Sequence, residues 1–362
     1  MDKIDFLVSV RCLTYNHAAY IRDTMDGFCM QQTYFPFVCV ILDDASTDGE
    51  QEVIKNYLAL HFEESGEGQI EETNDYVLSF SRHKHNKNCF FAVYFLKTNH
   101  FGKKAKAPYL ERWEKWAKYV AYCEGDDYWL DENKIQLQVD YMENNSNCSM
   151  TCSRTKYYSQ KLNRYNKEQY CRKGNGFLNI EDVIYRQGLY ISTCSVMFRY
   201  SIMEHYPSYC RRCLIGDYPL QLYAALVGSI YYFDNVMSVY RVDNSESWMG
   251  RQASVRGTID EKRLAIMDST LDMLSGFLED YPKYSSFFKN KIAEYINRGL
   301  PYRRRSSRTD IAEYINHFQN YVNQYKLFWR IDLAIRKIRI PGVRTIYTKL
   351  FMGQFYEKTI SC

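Results

Sequence analysis

Two continuous runs of apolar residues, each followed by a polar loop and an amphipathic stretch, constrain the fold of this chain most. The runs are Phe6–Cys12 and Phe37–Leu42. A strand that is apolar at every position is typical of a parallel sheet covered on both faces, because successive side chains point to opposite faces. Residues 18–32 and 53–58 carry apolar side chains at helical spacing. The order strand–helix–strand–helix predicts an α/β fold, a doubly wound, mostly parallel sheet with helices on both faces.

Polar clusters follow three of the predicted strands at their carboxyl ends, which is where open α/β sheets bind their ligands. Thr14–Asn16 follow the first strand, and Asp43–Asp44 follow the second. Glu124–Asp127 follow a third apolar run, Tyr119–Cys123. Because parallel strands end at the same edge of a sheet, we expect these three clusters to share one crevice.

The cluster Glu124–Asp127 contains three carboxylates within four residues. Such a group repels itself unless a cation lies among its members. A hard divalent ion with oxygen ligands suits it, and such ions usually bridge to substrate phosphates. The cluster therefore indicates a phosphate-bearing substrate held through a metal. The alternative is a solvated acidic turn that starts a helix, with Asp131 as its N-cap.

The charge of the chain is unevenly distributed. Residues 298–362 contain 13 Lys and Arg against 4 Asp and Glu, so this tail is strongly basic although the net charge of the whole chain is only +4. A basic tail on an acidic body indicates an anionic partner surface, membrane or nucleic acid. Residues 328–351 mix isoleucines with arginines and lysines, as a basic amphipathic segment on an anionic membrane does. The alternative is a helical subdomain with a solvated basic face; we expect no nucleic-acid partner.

The N-terminus shows no signal peptide, since Met1–Asp5 lead directly into the first strand pattern. The longest nearly apolar run, Leu220–Phe233, is too short to span a bilayer. Twelve cysteines without a secretory signal are typical of cytosolic thiols. We therefore expect a cytoplasmic protein, which the basic segment would bring to the inner face of the cell membrane.

The ordered set of motifs resembles the inverting family 2 glycosyltransferases of bacterial surface-polysaccharide assembly, which have the GT-A fold. The resemblance covers about residues 5–248. The motifs that carry it are Ser9–Asn16, Asp43–Asp48, Glu124–Trp129, Thr193–Arg199, Gly216–Leu220 and Val236–Arg241. It implies a GT-A-like domain over residues 1–250, with a nucleotide-sugar half over 1–130 and an acceptor half over 131–250. The character of the sequence changes near residue 250, and residues 251–362 are predicted to be a mainly helical, basic region.

The resemblance implies that a sugar is transferred from a nucleotide donor to an acceptor hydroxyl with inversion, with the help of Mn²⁺ or Mg²⁺. The frequency of donors in the family favours a UDP-sugar, and the acceptor would be a glycan or a lipid-linked chain. The implied nucleotide contacts are Thr14, Tyr15, Asn16, Asp43, Asp44 and Asp126, with Asp44 on the base. The implied metal ligand is Asp127, with Asp126 on the ribose or sharing the metal. Glu124 is a further candidate ligand, and stands where many relatives have Asp.

The resemblance also implies roles in the acceptor half. Asp217 lies where the family usually has its catalytic base, although Gly216 replaces the Glu that commonly precedes it; the alternative is that Asp217 caps a helix. Tyr128 and Trp129 would stack on the acceptor sugar, or else pack in the core. Arg241 would pair with a phosphate or with a surface carboxylate. Asp243 stands where relatives often have His, and an Asp in a turn is its simplest interpretation.

Two other functions remain open from the sequence. A nucleotidyltransferase has a similar core, but usually has a Gly-rich loop with Lys or Arg where this chain has Leu13–His17. A catalytically inactive nucleotide-binding or membrane-associated protein is the second alternative. The presence of Asp126, Asp127 and Asp217 argues against it.

Overall fold

The computed structural model describes residues 5–63, 70–101, 105–186, 190–243 and 259–306. The chain divides into two compact units, residues 1–291 and 292–362. In the second unit the described residues are 292–306, which belong to a helix. The boundary predicted near residue 250 and the basic segment 328–351 both lie outside the described residues and remain predictions. Among the described residues, no helix is both long enough and apolar enough to cross a membrane.

Strands and helices alternate through residues 8–61, as predicted, and three consecutive strands follow before the next helix. The strands are β1 (Val8–Thr14), β2 (Phe37–Asp43), β3 (Ile70–Glu72), β4 (Tyr76–Arg82), β5 (Cys89–Leu96), β6 (Tyr119–Tyr122), β7 (Tyr128–Trp129), β8 (Cys148–Ser159), β9 (Arg164–Gln169), β10 (Gly176–Phe177), β11 (Met197–Arg199) and β12 (Ser229–Val242). The α-helices are α1 (Ile21–Cys29), α2 (Glu50–His61), α3 (Ala107–Glu114), α4 (Lys134–Asn144), α5 (Ile180–Arg186), α6 (Ser208–Arg212), α7 (Asp217–Val227), α8 (Ile259–Asp280) and α9 (Ser285–Ser306).

The described strands form one sheet in the order β10-β12-β8-β11-β6-β1-β2-β5-β4-β3, with β7 beside β12 and β9 beside β8. Strands β6, β1, β2 and β5 are parallel to one another. Strand β11 runs antiparallel between β6 and β8, while β8 and β12 are parallel. Strands β4 and β3 extend the other side in antiparallel pairs. The predicted α/β fold with a mostly parallel sheet is confirmed.

The position of β2 between two hydrophobic cores explains why Phe37–Leu42 are all apolar. Phe37, Cys39 and Ile41 belong to a core that α1, α2 and α4 cover, whereas Val38 and Val40 belong to a second core with α3. All seven residues of β2 are buried. A strand between two layers needs apolar side chains on both faces, as the sequence pattern predicted.

The prediction was wrong for two segments. The acidic, polar sequence of residues 63–75 predicts a loop, but Ile70–Glu72 form β3 at the sheet edge. The two glutamates of this largely exposed strand give it a loop-like sequence. The sequence of Thr193–Arg199 predicts one strand, but Thr193–Ser195 form a 3₁₀ turn and only Met197–Arg199 pair with neighbours. Residues 89–96 and 217–227, whose sequences predict a strand and a helix, form β5 and α7.

Candidate active site

The carboxyl ends of β1, β2 and β6 meet at one place. The backbone N–H of Asp44 donates to the carbonyl of Thr14 at 3.0 Å, and that of Gly125 donates to the carbonyl of Leu13 at 3.0 Å. Three clusters that lie far apart in the sequence are therefore directly bonded to one another. The three clusters thus converge at one edge of the sheet, as predicted.

Glu50, the first residue of α2, fastens two of these loops together. Its side chain is 0% exposed and accepts hydrogen bonds from the Thr14 hydroxyl, from the Ser46 hydroxyl at 2.8 Å and from the backbone N–H of His17 at 2.9 Å. Burial, the largest influence, raises the pKa of Glu50 to about 7 in spite of these donors. Nothing in the sequence marks Glu50 for this role, because a glutamate in the first turn of a helix is usually a surface charge that favours the helix dipole.

The loops after β1 and β2 are also joined through Asn16. Its backbone N–H donates to Ser46 Oγ at 2.9 Å, and its Oδ1 accepts from the backbone N–H of Thr47 at 2.8 Å. Asn16 has a φ of 58° and Ala45 a φ of 59°. Asparagine tolerates this left-handed conformation better than most residues. The implied nucleotide contacts Thr14 and Asn16 thus lie on a fixed frame, and Tyr15 between them is half-buried.

The two aspartates after β2 have different environments. Asp44 is buried; its Oδ1 accepts the backbone N–H of His100 at 2.7 Å, and its Oδ2 lies 2.6 Å from Lys106 Nζ. A nucleotide contact through the Asp44 carboxylate would need one of these donors to give way. Asp43 accepts from Gln51 at 2.5 Å through Oδ1, and burial raises its pKa. Its buried Oδ2 has no hydrogen-bond partner among the described residues.

The acidic loop is held from two sides. On one side, the Thr24 hydroxyl of α1 donates to the carbonyls of Gly125 (3.0 Å) and Asp127 (2.6 Å). On the other side, Arg241 of β12 donates its backbone N–H to Asp127 Oδ1 at 2.8 Å and its Nη1 to the carbonyl of Asp126 at 2.7 Å. The Asp127 carboxylate, on a residue only 2% exposed, is therefore partly committed to holding the loop.

Arg241 pairs with a carboxylate, which is one of the two alternatives that the sequence left open. Its Nη2 binds Asp23 of α1, and its guanidinium lies 4.5 Å from the ring centre of Tyr128 and 5.2 Å from that of Tyr20. Arg241 is itself buried. A phosphate contact would have to compete with these partners.

Tyr128 and Trp129 differ in their access to solvent. Trp129 is 1% exposed, donates its indole N–H to the carbonyl of Cys194 at 2.8 Å, and packs edge-on against Phe28 at 4.9 Å. This is core packing, the other alternative for Trp129, and stacking on a sugar would require this core to open. Tyr128 is half-buried, and its hydroxyl lies 3.0 Å from that of Tyr165 on β9.

The carboxylates of the crevice repel one another. Desolvation, then the negative charges of Asp126 and Asp217, raises the pKa of Glu124, although part of this residue is exposed to solvent. Burial and the neighbouring Asp126 raise the pKa of Asp127 well above its ordinary value. His17 Nε2 lies 3.8 Å from Asp126 Oδ2. A cation among these groups would relieve the repulsion.

The donor set suits a hard divalent ion. Glu124 and Asp126 are oxygen donors, and the negative charge of Asp126 contributes to the raised pKa of Glu124. Within the described ranges no three His, Cys, Asp or Glu side chains stand arranged as a complete metal cage. Mg²⁺ in proteins is usually held by one or two carboxylates together with substrate phosphates, so a complete cage is not required.

Asp217 is the first residue of α7 and follows the N-cap residue Gly216. It is therefore not the N-cap of this helix. Its Oδ1 accepts the backbone N–H of Tyr218 at 2.8 Å, and burial raises its pKa. Its negative charge contributes to the raised pKa of Glu124. Asp243, by contrast, has a φ of 60° and accepts from the Ser159 hydroxyl, as expected for a turn aspartate.

Gly125→Ala is expected to lower the free energy of unfolding by about 1–3 kcal/mol. A Cβ at this position would lie 2.1 Å from Thr14 Oγ1, and Thr14 is held by Glu50. Urea unfolding measures the change. Gly216→Ala is the control, because a Cβ there meets nothing within 4 Å. Equal losses in the two variants would contradict the packing argument.

Comparisons with known proteins find similarity to glycosyltransferases. The sequence model of the family described as Glycosyl transferase family 2 matches residues 9–77. An uncharacterised protein of Mycobacterium tuberculosis (strain ATCC 25618 / H37Rv) is 26% identical over 275 residues, which are 75% of this chain and 70% of that protein. The putative teichuronic acid biosynthesis glycosyltransferase TuaG of Bacillus subtilis (strain 168) is 27% identical over 136 residues, 38% of this chain and 42% of TuaG.

A crystal structure of S. aureus TarS 1-349 in complex with UDP is similar to this chain with a TM-score of 0.51. The sequence identity is 14%, and the match covers 87% of this chain and 80% of that one. At this identity the likeness concerns the fold. It confirms the predicted GT-A-like fold.

Proposed function

We propose that this chain, which belongs to the family 2 glycosyltransferases, transfers a sugar from a nucleoside diphosphate to an acceptor hydroxyl of a glycan, with inversion. One observation supports the proposal: the ends of β1, β2 and β6 bring the loops after β1 and β2 next to the carboxylate cluster Glu124–Asp127. A crevice at the carboxyl edge of an α/β sheet is where a nucleotide would bind.

The nucleotide would lie along the loops after β1 and β2. Thr14, Tyr15 and Asn16 are its proposed contacts on one loop, and Asp43 and Asp44 on the other. The buried Asp43 Oδ2, for which the described residues supply no donor, suits the N–H of a base. A contact to the Asp44 carboxylate would have to replace Lys106 or the backbone N–H of His100. UDP is the proposed nucleotide, since TarS, which has a similar fold, binds UDP.

Glu124, Asp126 and Asp127 are proposed to hold Mn²⁺ or Mg²⁺. The side-chain oxygens of Glu124 and Asp126 are the better placed, because Asp127 already accepts a hydrogen bond from Arg241. When bound, such an ion would stabilise the negative charge of the departing diphosphate. The contribution of the chain itself is to hold the acidic loop rigid through Thr24 and Arg241.

Asp217 is the proposed catalytic base. Inversion requires a base on the face of the sugar opposite the leaving group, as in an inverting glycosidase with the acceptor in place of water. Burial raises the pKa of Asp217, which makes its ionised form a stronger base. The proton of the acceptor hydroxyl would pass to the Asp217 carboxylate as the new glycosidic bond forms.

Thermal unfolding with nucleotides tests the donor site. We expect UDP or a UDP-sugar to raise the unfolding midpoint when Mn²⁺ is present, because a ligand that binds only the folded state stabilises it. In Asp126→Ala the Mn²⁺-dependent part of the rise should disappear. Asp131→Ala is the matched control, since it removes a carboxylate of the same segment that lies after the loop.

If UDP raises the unfolding midpoint equally with and without Mn²⁺, the proposed metal site is refuted and the proposed nucleotide site is supported. No rise with any nucleoside diphosphate would refute the transferase proposal. Association of residues 328–351 with the inner face of an anionic membrane also remains a proposal, made from the sequence of that segment alone.

A further inference from the structure

The hairpin formed by β8 and β9 is unusually basic and rich in tyrosine. Residues 154–173 contain seven Lys and Arg against a single Glu, and four Tyr. Strand β9 is solvent-exposed along nearly its whole length. Among the described residues, Lys156, Arg164 and Lys167 of this hairpin take part in no ion pair with a carboxylate. Their charge is therefore available to an anionic partner.

A cross-strand row of side chains connects this hairpin with the crevice. In β12, β8 and β9, Tyr240 is paired with Tyr157, and Tyr157 is paired with Lys167. Paired residues of neighbouring strands point to the same face. The rings of Tyr240 and Tyr157 have their centres 5.3 Å apart, and Lys167 Nζ lies 4.5 Å from the centre of the Tyr157 ring.

The row begins at the acidic cluster. Tyr240 is followed by Arg241, whose backbone N–H donates to Asp127 Oδ1 at 2.8 Å. Tyr240 is half-buried, Tyr157 is buried with 7% exposure, and Lys167 at the other end is exposed. The row therefore leads from the proposed site of transfer to the solvated hairpin.

A second row occupies the opposite face of the same strands. Arg241 is paired with Tyr158, and Tyr158 with Tyr165. Lys156 lies 5.5 Å from the centre of the Tyr165 ring, which places it with this second row. Lys156 and Lys167 thus carry the same charge on opposite faces of one hairpin.

We propose that the row Tyr240–Tyr157–Lys167 is the acceptor-binding surface of the enzyme and that the acceptor is an anionic glycan, carrying carboxylate or phosphate groups. The inference rests on the proposed function and names its acceptor class. The half-buried Tyr240 offers a flat apolar face to a sugar ring. The buried ring of Tyr157 positions Lys167, whose Nζ lies over it. Lys167 and Arg164 would attract the negative groups of the chain as it leaves the crevice.

Binding of defined polymers to the full-length chain tests this surface. The probes are polygalacturonate for carboxylates, a glycerol phosphate oligomer for phosphates, and dextran as a neutral glycan. We expect one or both anionic polymers to bind more tightly than dextran and to weaken as salt rises. Lys167→Glu should weaken that binding by at least about tenfold, and Lys167→Gln by less.

Lys156→Glu is the matched control, because it makes the same change of charge on the other face of the hairpin. We expect it to weaken binding by less than about threefold. Equal effects of Lys156→Glu and Lys167→Glu would overturn the assignment of the row. Equal binding of dextran and the anionic polymers, or binding of phosphatidylglycerol vesicles in place of the polymers, would overturn the acceptor class.

The thermal-shift experiment with UDP separates this inference from the proposed function. If nucleotide still binds but Lys167→Glu leaves polymer binding unchanged, the acceptor surface alone is refuted. If no nucleotide binds, the transferase proposal is refuted, whatever the polymers do. Unchanged unfolding midpoints of the Lys167 variants show that any loss of binding is not a loss of fold.

Discussion

Asp217→Asn is expected to lower the rate of sugar transfer about 10²–10⁴-fold while nucleotide binding stays intact. Asparagine has nearly the shape of aspartate but cannot take a proton from the acceptor hydroxyl. It keeps the Oδ1 that accepts the backbone N–H of Tyr218, so the start of α7 has its hydrogen bond in the variant. The measurement is release of the nucleoside diphosphate from the donor that raises the unfolding midpoint, with water or an added glycan as acceptor.

The pH dependence of the wild-type enzyme provides a second readout. Only the ionised carboxylate accepts a proton, so kcat/KM should be low below the pKa of Asp217 and rise through it. Burial raises that pKa, so the rise should lie above the ordinary range of an aspartate. In Asp217→Asn, kcat/KM should be low at every pH and should no longer rise through this range.

Asp182→Asn is a suitable control for Asp217→Asn. Asp182 lies on α5 with a partly exposed side chain, 3.4 Å from Arg186. This variant should transfer sugar at the wild-type rate. If the folded Asp217→Asn variant also transfers sugar at nearly the wild-type rate, Asp217 is not the catalytic base and has only a structural role at the start of α7.

The place of the site was predictable because it depends on strand order and polarity. Thr14, Asp43 and Glu124 each follow an apolar run, and parallel strands bring such positions to one edge. Nothing further about the structure was needed to expect one crevice. The extent of helix α7 could be predicted for a similar reason, since Asp217 and Pro219 mark its start locally.

The residues that hold the site were not predictable, because their roles depend on partners far away in the sequence. Thr24 holds a loop about 100 residues later, and Lys106 binds Asp44 across 62 positions. A threonine inside a helix and a lysine in a loop have no local mark of such roles. The burial of Trp129 was not predictable for the same reason, because it contacts Phe28 and Cys194, which are far away in the sequence.

Glu50→Gln is expected to change how the stability of the protein depends on pH. The pKa of Glu50 is about 7 in the folded protein, against an ordinary value of 4.5. Between these two values the folded state keeps a proton that the unfolded chain has released, so the stability of the wild type falls as pH rises through this window. Above about pH 7 both states are ionised at this residue, and its contribution becomes constant.

Glutamine resembles the protonated form of Glu50 and carries no proton that titrates in this range. The free energy of unfolding of Glu50→Gln minus that of the wild type should therefore increase by about 3 kcal/mol as pH rises from 4.5 to 7. Urea unfolding of both proteins at a series of pH values measures this difference. Glu52→Gln, in the same helical turn but with a side chain 70% exposed, measures the effect of net charge alone.

A difference between Glu50→Gln and wild type that is the same at every pH would mean that Glu50 ionises normally in the folded state. Its three donors, the hydroxyls of Thr14 and Ser46 and the N–H of His17, would then outweigh its burial. A difference that grows with pH would mean that the carboxyl group of Glu50, which holds the loops after β1 and β2 together, has a pKa near 7 in the folded protein. The frame on which the nucleotide is proposed to lie would then loosen as pH rises from 4.5 to 7, and nucleotide affinity should fall over the same range in the wild type but not in Glu50→Gln.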